Sequence, residues 1–190
     1  MSYNVDFYRE YAKVFWTEIN EVFSMRIPKH NYLPIVFEEL TERAEMESIY
    51  GFTHTHQNER TKLNSLYPVV YLSDDRNDEE IKETIRHEII HYYLGLHYFK
   101  YQDNTVIFWL ISDLFSGGAY VELGERERQI YNIVKGTLNN LFQKYNMTDD
   151  KNKITTKLSL ILCAVDDYEV NLDKKLSGLE LVCRACSTIL

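Results

Sequence analysis

Proline and glycine are scarce in this chain: three and seven of 190 residues. Few breakers leave room for long regular elements, and no stretch is repetitive or low in complexity. Cysteine is scarce as well. Three thiols, Cys163, Cys183 and Cys186, are an odd number and too few for a disulfide framework. Neither an apolar leader nor a run of about twenty apolar residues occurs, which argues against a membrane span. The expected setting is a reducing cytoplasm. Positive charge is in deficit too: 21 Lys and Arg stand against 29 Asp and Glu, net −8. Phosphate-backbone binding depends on clustered Lys and Arg, so the balance disfavours, without excluding, association with DNA. What the chain has is apolar and aromatic mass, 45% and 14%, enough for a sizeable core.

The most informative run is His87-Glu88-Ile89-Ile90-His91. Residues four apart on an α-helix share a face, so His87 and His91 can present two imidazoles to one metal ion. Glu88 lies about 100° further round, placed to take a proton from metal-bound water without being a ligand. The context favours a helix here. Asn77 and Asp78 are N-cap candidates, followed by acidic first-turn residues. Ile81, Ile85, Ile89 and Tyr92 or Tyr93 recur at helical spacing, and no breaker intervenes before Gly95. Polar groups in so apolar a segment need partners, and a metal is the obvious one. The pattern is that of a zincin metallopeptidase.

Residue spacing leaves the third ligand open. His97 follows His91 by six residues, as in metzincins, but leucine occupies position 94 where their glycine belongs, and Met147 makes a poor Met-turn. Glu122 and Glu125 can act as second-helix glutamates, although their surroundings read as a charged helix start. Asp103 is the last candidate; its alternative role is to cap a helix beginning near Thr105.

The run from Glu83 to Leu94 resembles the core of the SprT-like zinc metallopeptidases. Bacterial members follow the box with about nine residues, a Tyr-x-His and a phenylalanine opening the next helix. Tyr101, Asp103 and Phe108 fall at those positions, and the following helix ends at Gly117-Gly118. Asp103 stands where the family usually has histidine; aspartate is an accepted, harder zinc ligand. The resemblance implies a catalytic zinc on His87, His91 and Asp103, with Glu88 as general base and a protein or peptide as substrate. It also implies proximity to DNA, which the acidity disfavours.

The C-terminal pattern, Cys163-x-x-Asp166, then sixteen residues, then Cys183-x-x-Cys186, resembles the zinc ribbon closing many chains of this family, with Asp166 in place of one cysteine. The β-prone runs Leu158–Leu162 and Leu179–Val182 precede the two halves, so a β-ribbon with a second, structural zinc is expected. Ahead of the box, an amphipathic helix is expected over Asn4–Phe23 with Phe7, Tyr11, Val14, Phe15, Ile19 and Val22 inward. Strands are expected over Pro34–Leu40, Ser48–His56 and Tyr67–Ser73. Within the second strand, His54 and His56 share a face and can line a cleft, or simply face solvent on an edge strand. Gly124–Asn146 reads as a long helix and Met147–Lys153 as a linker.

The sum is an α+β fold: a minimal zincin-type domain over residues 1–146 with N-terminal helix, short sheet and active-site helix, then a ribbon-like segment over 154–190. Two functions from different classes remain in play: a zinc endopeptidase, and a metal-stabilised binding or adaptor protein without turnover.

Overall fold

The computed structural model describes residues 4–23, 33–47, 49–57 and 64–188. Along the chain come α1 (Val5–Val22), β1 (Val36–Glu39), α2 (Glu42–Met46), β2 (Gly51–Gln57), β3 (Asn64–Leu72), α3 (Asp78–Leu96), α4 (Val106–Phe115), α5 (Glu125–Met147), α6 (Asn152–Val170) and α7 (Leu176–Thr188). The class is α+β, as expected, and helix dominates. No helix among the described residues is long and apolar enough to cross a membrane.

The α1 stripe is rotated from the expected one. Tyr8, Ala12, Phe15, Trp16, Ile19 and Val22 are buried, whereas Phe7 and Val14 are exposed. Both sets have i, i+4, i+7, i+8 spacing, and the buried stripe lies one residue further along, with Phe15, Ile19 and Val22 common to the two. Trp16 packs its ring on Tyr92 and Tyr93 of α3, and the Tyr8 hydroxyl donates to Asp78 at the start of α3.

The sheet has the order β1-β3-β2. β1 runs parallel to β3, with Val36 beside Val69, and β2 runs antiparallel to it, with Phe52 beside Val69. The central strand buries Val69, Val70 and Leu72, as β-branched and aliphatic residues do on a covered sheet. α3 lies against this sheet and touches α1 and α4 on its other sides. Enclosed from several directions, it buries His87, Glu88 and His91 together with its isoleucines. The Asn77 side chain caps its first turn and Glu80 returns the bond to the Asn77 N–H, a complete capping box.

The C-terminal segment corrects the expectation. The runs read as strands of a ribbon are helices: Leu158–Leu162 lies within α6 and Leu179–Val182 within α7. The reason is periodicity. Ile154, Leu158, Ile161, Leu162 and Val165 fall on one helical stripe and are buried, as are Leu179, Cys183 and Cys186, spaced four and then three apart. The two buried cysteines serve as small apolar core residues. α5 packs against α4, α6 and α7, and one cluster of buried apolar side chains runs from Tyr8 through Ile89, Phe108 and Val134 to Cys186.

If α6 is integral to that core, Leu162→Ala costs about 2–5 kcal/mol, as for a fully enclosed leucine. Urea unfolding of the metal-free protein measures this; a loss below about 1 kcal/mol means that the helix packs loosely.

Candidate metal centre

Three potential ligand atoms converge. His87 Nε2 and His91 Nε2 are 3.0 Å apart, and Asp103 Oδ1 lies 3.1 Å from the first and 3.2 Å from the second. Among the described residues this is the one group of three or more His, Cys, Asp or Glu side chains with ligand atoms close enough to hold an ion. A tetrahedral site with bonds of about 2.0–2.1 Å has ligand atoms about 3.3 Å apart, so the triangle needs to open by only a few tenths of an ångström.

Hydrogen bonding sharpens the fit. His87 Nδ1 donates to the carbonyls of Gly117 at 3.1 Å and Gly118 at 3.3 Å, and His91 Nδ1 donates to the carbonyl of Tyr101. Each neutral imidazole therefore carries its proton on the outer nitrogen and turns a bare lone pair inward, the tautomer of a metal ligand. Asp103 Oδ1, buried between the rings, has no donor in hydrogen-bonding alignment among the described residues despite the short distances. Three lone-pair atoms facing one another at these distances favour a positive charge among them. The donor set fits a divalent ion.

Local structure explains the convergence. The α3 register stacks His87 and His91 on one face. α4 ends at Ser116 in the left-handed region, and Gly118 follows with φ 69°, so the chain doubles back beneath His87. A Cβ on Gly117 would come within 2.6 Å of Ile90 Cδ1, and one on Gly118 within 2.5 Å of Glu83 Oε1. The positive φ favours glycine at 118, and a Cβ at 117 would displace the end of the Ile90 side chain. Phe108 of α4 stacks flat on His91, centroids 4.2 Å apart at 16°, and presents its edge relation to His87 at 4.9 Å. The Trp109 indole N–H is shared between the carbonyls of Asp103, at 2.9 Å, and Val121, at 3.0 Å. It ties the ligand loop to the segment after the glycine turn.

Glu88 is 3% exposed and faces the sheet. Its Oε2 accepts from the Thr53 hydroxyl of β2 at 2.9 Å. That approach requires Gly51: a Cβ there would meet Thr84 Cγ2 at 2.7 Å and Glu88 Cγ and Oε1 at 2.9 Å. Burial raises the Glu88 carboxyl above the usual range, against the opposing pull of His91, His87 and the Thr53 hydroxyl. At Asp103 the balance reverses. Burial again works to raise its pKa, but the two imidazoles outweigh it and hold the carboxyl well below the usual carboxylate range. Burial would lower the His87 pKa, yet Asp103 and Glu88 raise it.

The other candidates lie elsewhere. His97 is the C-cap residue of α3, its ring against Tyr93, and is not in the cluster. Glu122 and Glu125 are exposed around the start of α5. Asp103 does not cap α4; Thr105 holds the N-cap position. Cys163 is exposed on α6, Asp166 lies near Lys100, and Cys183 and Cys186 are buried on α7. These four form no ligand cluster among the described residues. His54 and His56 belong to β2, but their side chains lie outside the described residues. Thr53, Gly51 and Trp109 were not singled out from the sequence; β2's position beside α3, the only signal for the first two, is a tertiary fact. Comparison with protein-family models, curated proteins and solved structures finds no match for this chain.

Without a cation, Asp103 and Glu88 favour the protonated form of His87 against its burial. The raised His87 pKa contributes stability that is complete below the ordinary histidine value and disappears as pH rises through the raised one. The depressed Asp103 pKa contributes above the ordinary aspartate value. Metal-free protein should therefore melt higher near pH 5.5 than near pH 8, while added zinc stabilises more at pH 8, since it needs unprotonated rings. An equal melting temperature at both pH values argues against the pair. By metal analysis, Asp103→Ala should lose the bound ion, and Cys183→Ser should retain the wild-type content.

Proposed function

We propose that the chain is a zinc-dependent endopeptidase of SprT-like type, with His87, His91 and Asp103 as ligands and Glu88 as general acid–base. The observation that carries this reading is the meeting of three inward lone pairs within 3.2 Å next to a buried glutamate on the following helix position. Two imidazoles and a carboxylate leave a coordination position free, as catalytic zinc sites do. When bound, the ion supplies Lewis acidity, polarising a peptide carbonyl and making water a better proton donor.

The chain's own groups supply the proton chemistry. Glu88 takes the proton from attacking water and passes it to the nitrogen of the departing amine. Its elevated carboxyl pKa moves the base toward neutral pH, where acceptance and release are both feasible. Thr53 holds Oε2, which steadies the carboxylate and leaves Oε1 to carry the proton. An extended substrate backbone has a template in β2, whose described neighbour is β3 alone and whose Thr53 touches the base; addition of a strand to such an edge is a recurrent way to hold a peptide. The likeness of Glu83–Leu94, Tyr101, Phe108 and Gly117-Gly118 to the SprT-like pattern supports the same reading. A net charge of −8 favours a protein or peptide substrate without DNA.

Glu88→Gln keeps the shape of the base and abolishes its proton transfer. Metal content should stay at the wild-type value while cleavage of casein, or of the chain itself, falls by about a hundredfold or more. Wild type and variant acting alike in every cleavage assay would leave a metal-stabilised binding or adaptor protein as the better description.

A further inference from the structure

Glu169 lies on α6, remote in sequence from the ligands, and is 5% exposed. Its Oε1 accepts a hydrogen bond at 3.1 Å from the backbone N–H of Val106, the first residue of α4. The opening N–H groups of a helix have no partner within it. Here the N-cap residue supplies none: Thr105 makes no side-chain cap bond, and its hydroxyl donates backward to Gln102 O at 2.8 Å. α4 is therefore capped from a different helix.

What hangs from that first turn is the metal centre. Asp103 precedes Val106 by three residues, and its carbonyl is held by Trp109. Phe108 follows by two and packs against both imidazoles. The second oxygen of Glu169, Oε2, is buried with no hydrogen-bond partner among the described residues. Such a group costs stability, so packing alone does not account for a carboxyl here.

We propose that Glu169 is a positioning residue of the metal centre: by capping α4 from α6 it fixes where Asp103 meets His87 and His91. The helices after the ligand loop are then part of the centre, and the role deepens the metal-site reading on which it rests. Burial, the strongest influence on the Glu169 carboxyl, raises its pKa against the Val106 N–H. The protonated acid is nearly isosteric with glutamine, so Glu169→Gln reproduces the cap.

The test compares cobalt(II) and zinc affinity, by competition titration, in four proteins: wild type, Glu169→Met, Glu169→Gln and Val165→Ala. Methionine keeps the volume and removes the unpaired carboxyl, so the fold is retained. Val165, fully buried one turn away on α6, controls for loss of stability. Glu169→Met should weaken metal binding about tenfold or more, as loss of supporting groups around metal ligands does, and shift the visible absorption of the cobalt form. Glu169→Gln should stay near wild type. Val165→Ala should melt lower with affinity unchanged. Affinity and spectrum in Glu169→Met equal to wild type, or an equal loss in Val165→Ala, would overturn the proposal and leave the metal site standing. Absence of metal binding by the wild type itself would overturn both.

Discussion

The centre of this molecule is an electrostatic requirement. The carbonyls of Gly117, Gly118 and Tyr101 engage the outer ring nitrogens, which fixes the imidazole protons away from each other. What remains inside is two lone pairs and a carboxylate oxygen within 3.2 Å, the rings largely buried beside Phe108 and the Asp103 side chain half-exposed. At such distances, like partial charges repel. A cation at the centre would relieve that repulsion, and the hydrogen bonds around the rings keep the arrangement from relaxing.

The restraint comes from two sides that act on different groups. The helical side handles the ligands: the glycine turn after α4 orients His87, the Tyr101 carbonyl orients His91, the Phe108 ring sets their planes and Trp109 holds the Asp103 loop. The sheet side handles Glu88 through Thr53, with Gly51 permitting the close approach of β2. α3 stands between them and delivers both sets of side chains from adjoining faces. A change in β2 can therefore alter Glu88 without disturbing His87, His91 and Asp103, and a change in α4 or its cap can do the reverse.

Local rules made α3 legible: its cap residues, its isoleucine spacing and the two histidines at i and i+4 are properties of a single segment. α4 is placed by the likeness of Phe108 and Gly117-Gly118 to the SprT-like pattern, whereas the strands and α5 are readable from local pattern too. Asp103 is not, since the contact between residues 91 and 103 depends on a loop that no periodicity encodes; only resemblance singles it out among His97, Glu122 and Glu125. The C-terminal error has a different source. A Cys-x-x-Cys pair is also an i, i+3 pair on a helix, and the aliphatic run before Cys163 has the stripe of α6 as much as the appearance of a strand. Cysteine spacing taken alone predicts strands, where the full stripe from Ile154 to Val165 requires a helix. Thr53 and Glu169 were invisible because each acts through a partner more than thirty residues away.

An aspartate in place of a third imidazole changes the charge of the centre as well as its shape. Two neutral rings and one carboxylate would hold a divalent ion with a net charge of one, where three imidazoles would leave two. On the proposed peptidase reading, the ion is then a weaker acid toward water and more of the activation falls to the base. The burial of Glu88 complements this: its carboxyl is kept above the ordinary range, so it is the stronger proton acceptor when ionised. Oxygen in the ligand set also admits harder ions than zinc. The same substitution places the burden of geometry on a short side chain, which reaches the rings only if the first turn of α4 is held in place. That is where the bond between Val106 and Glu169 is found, and it gives the helices downstream of the ligands a physical reason to be packed as they are.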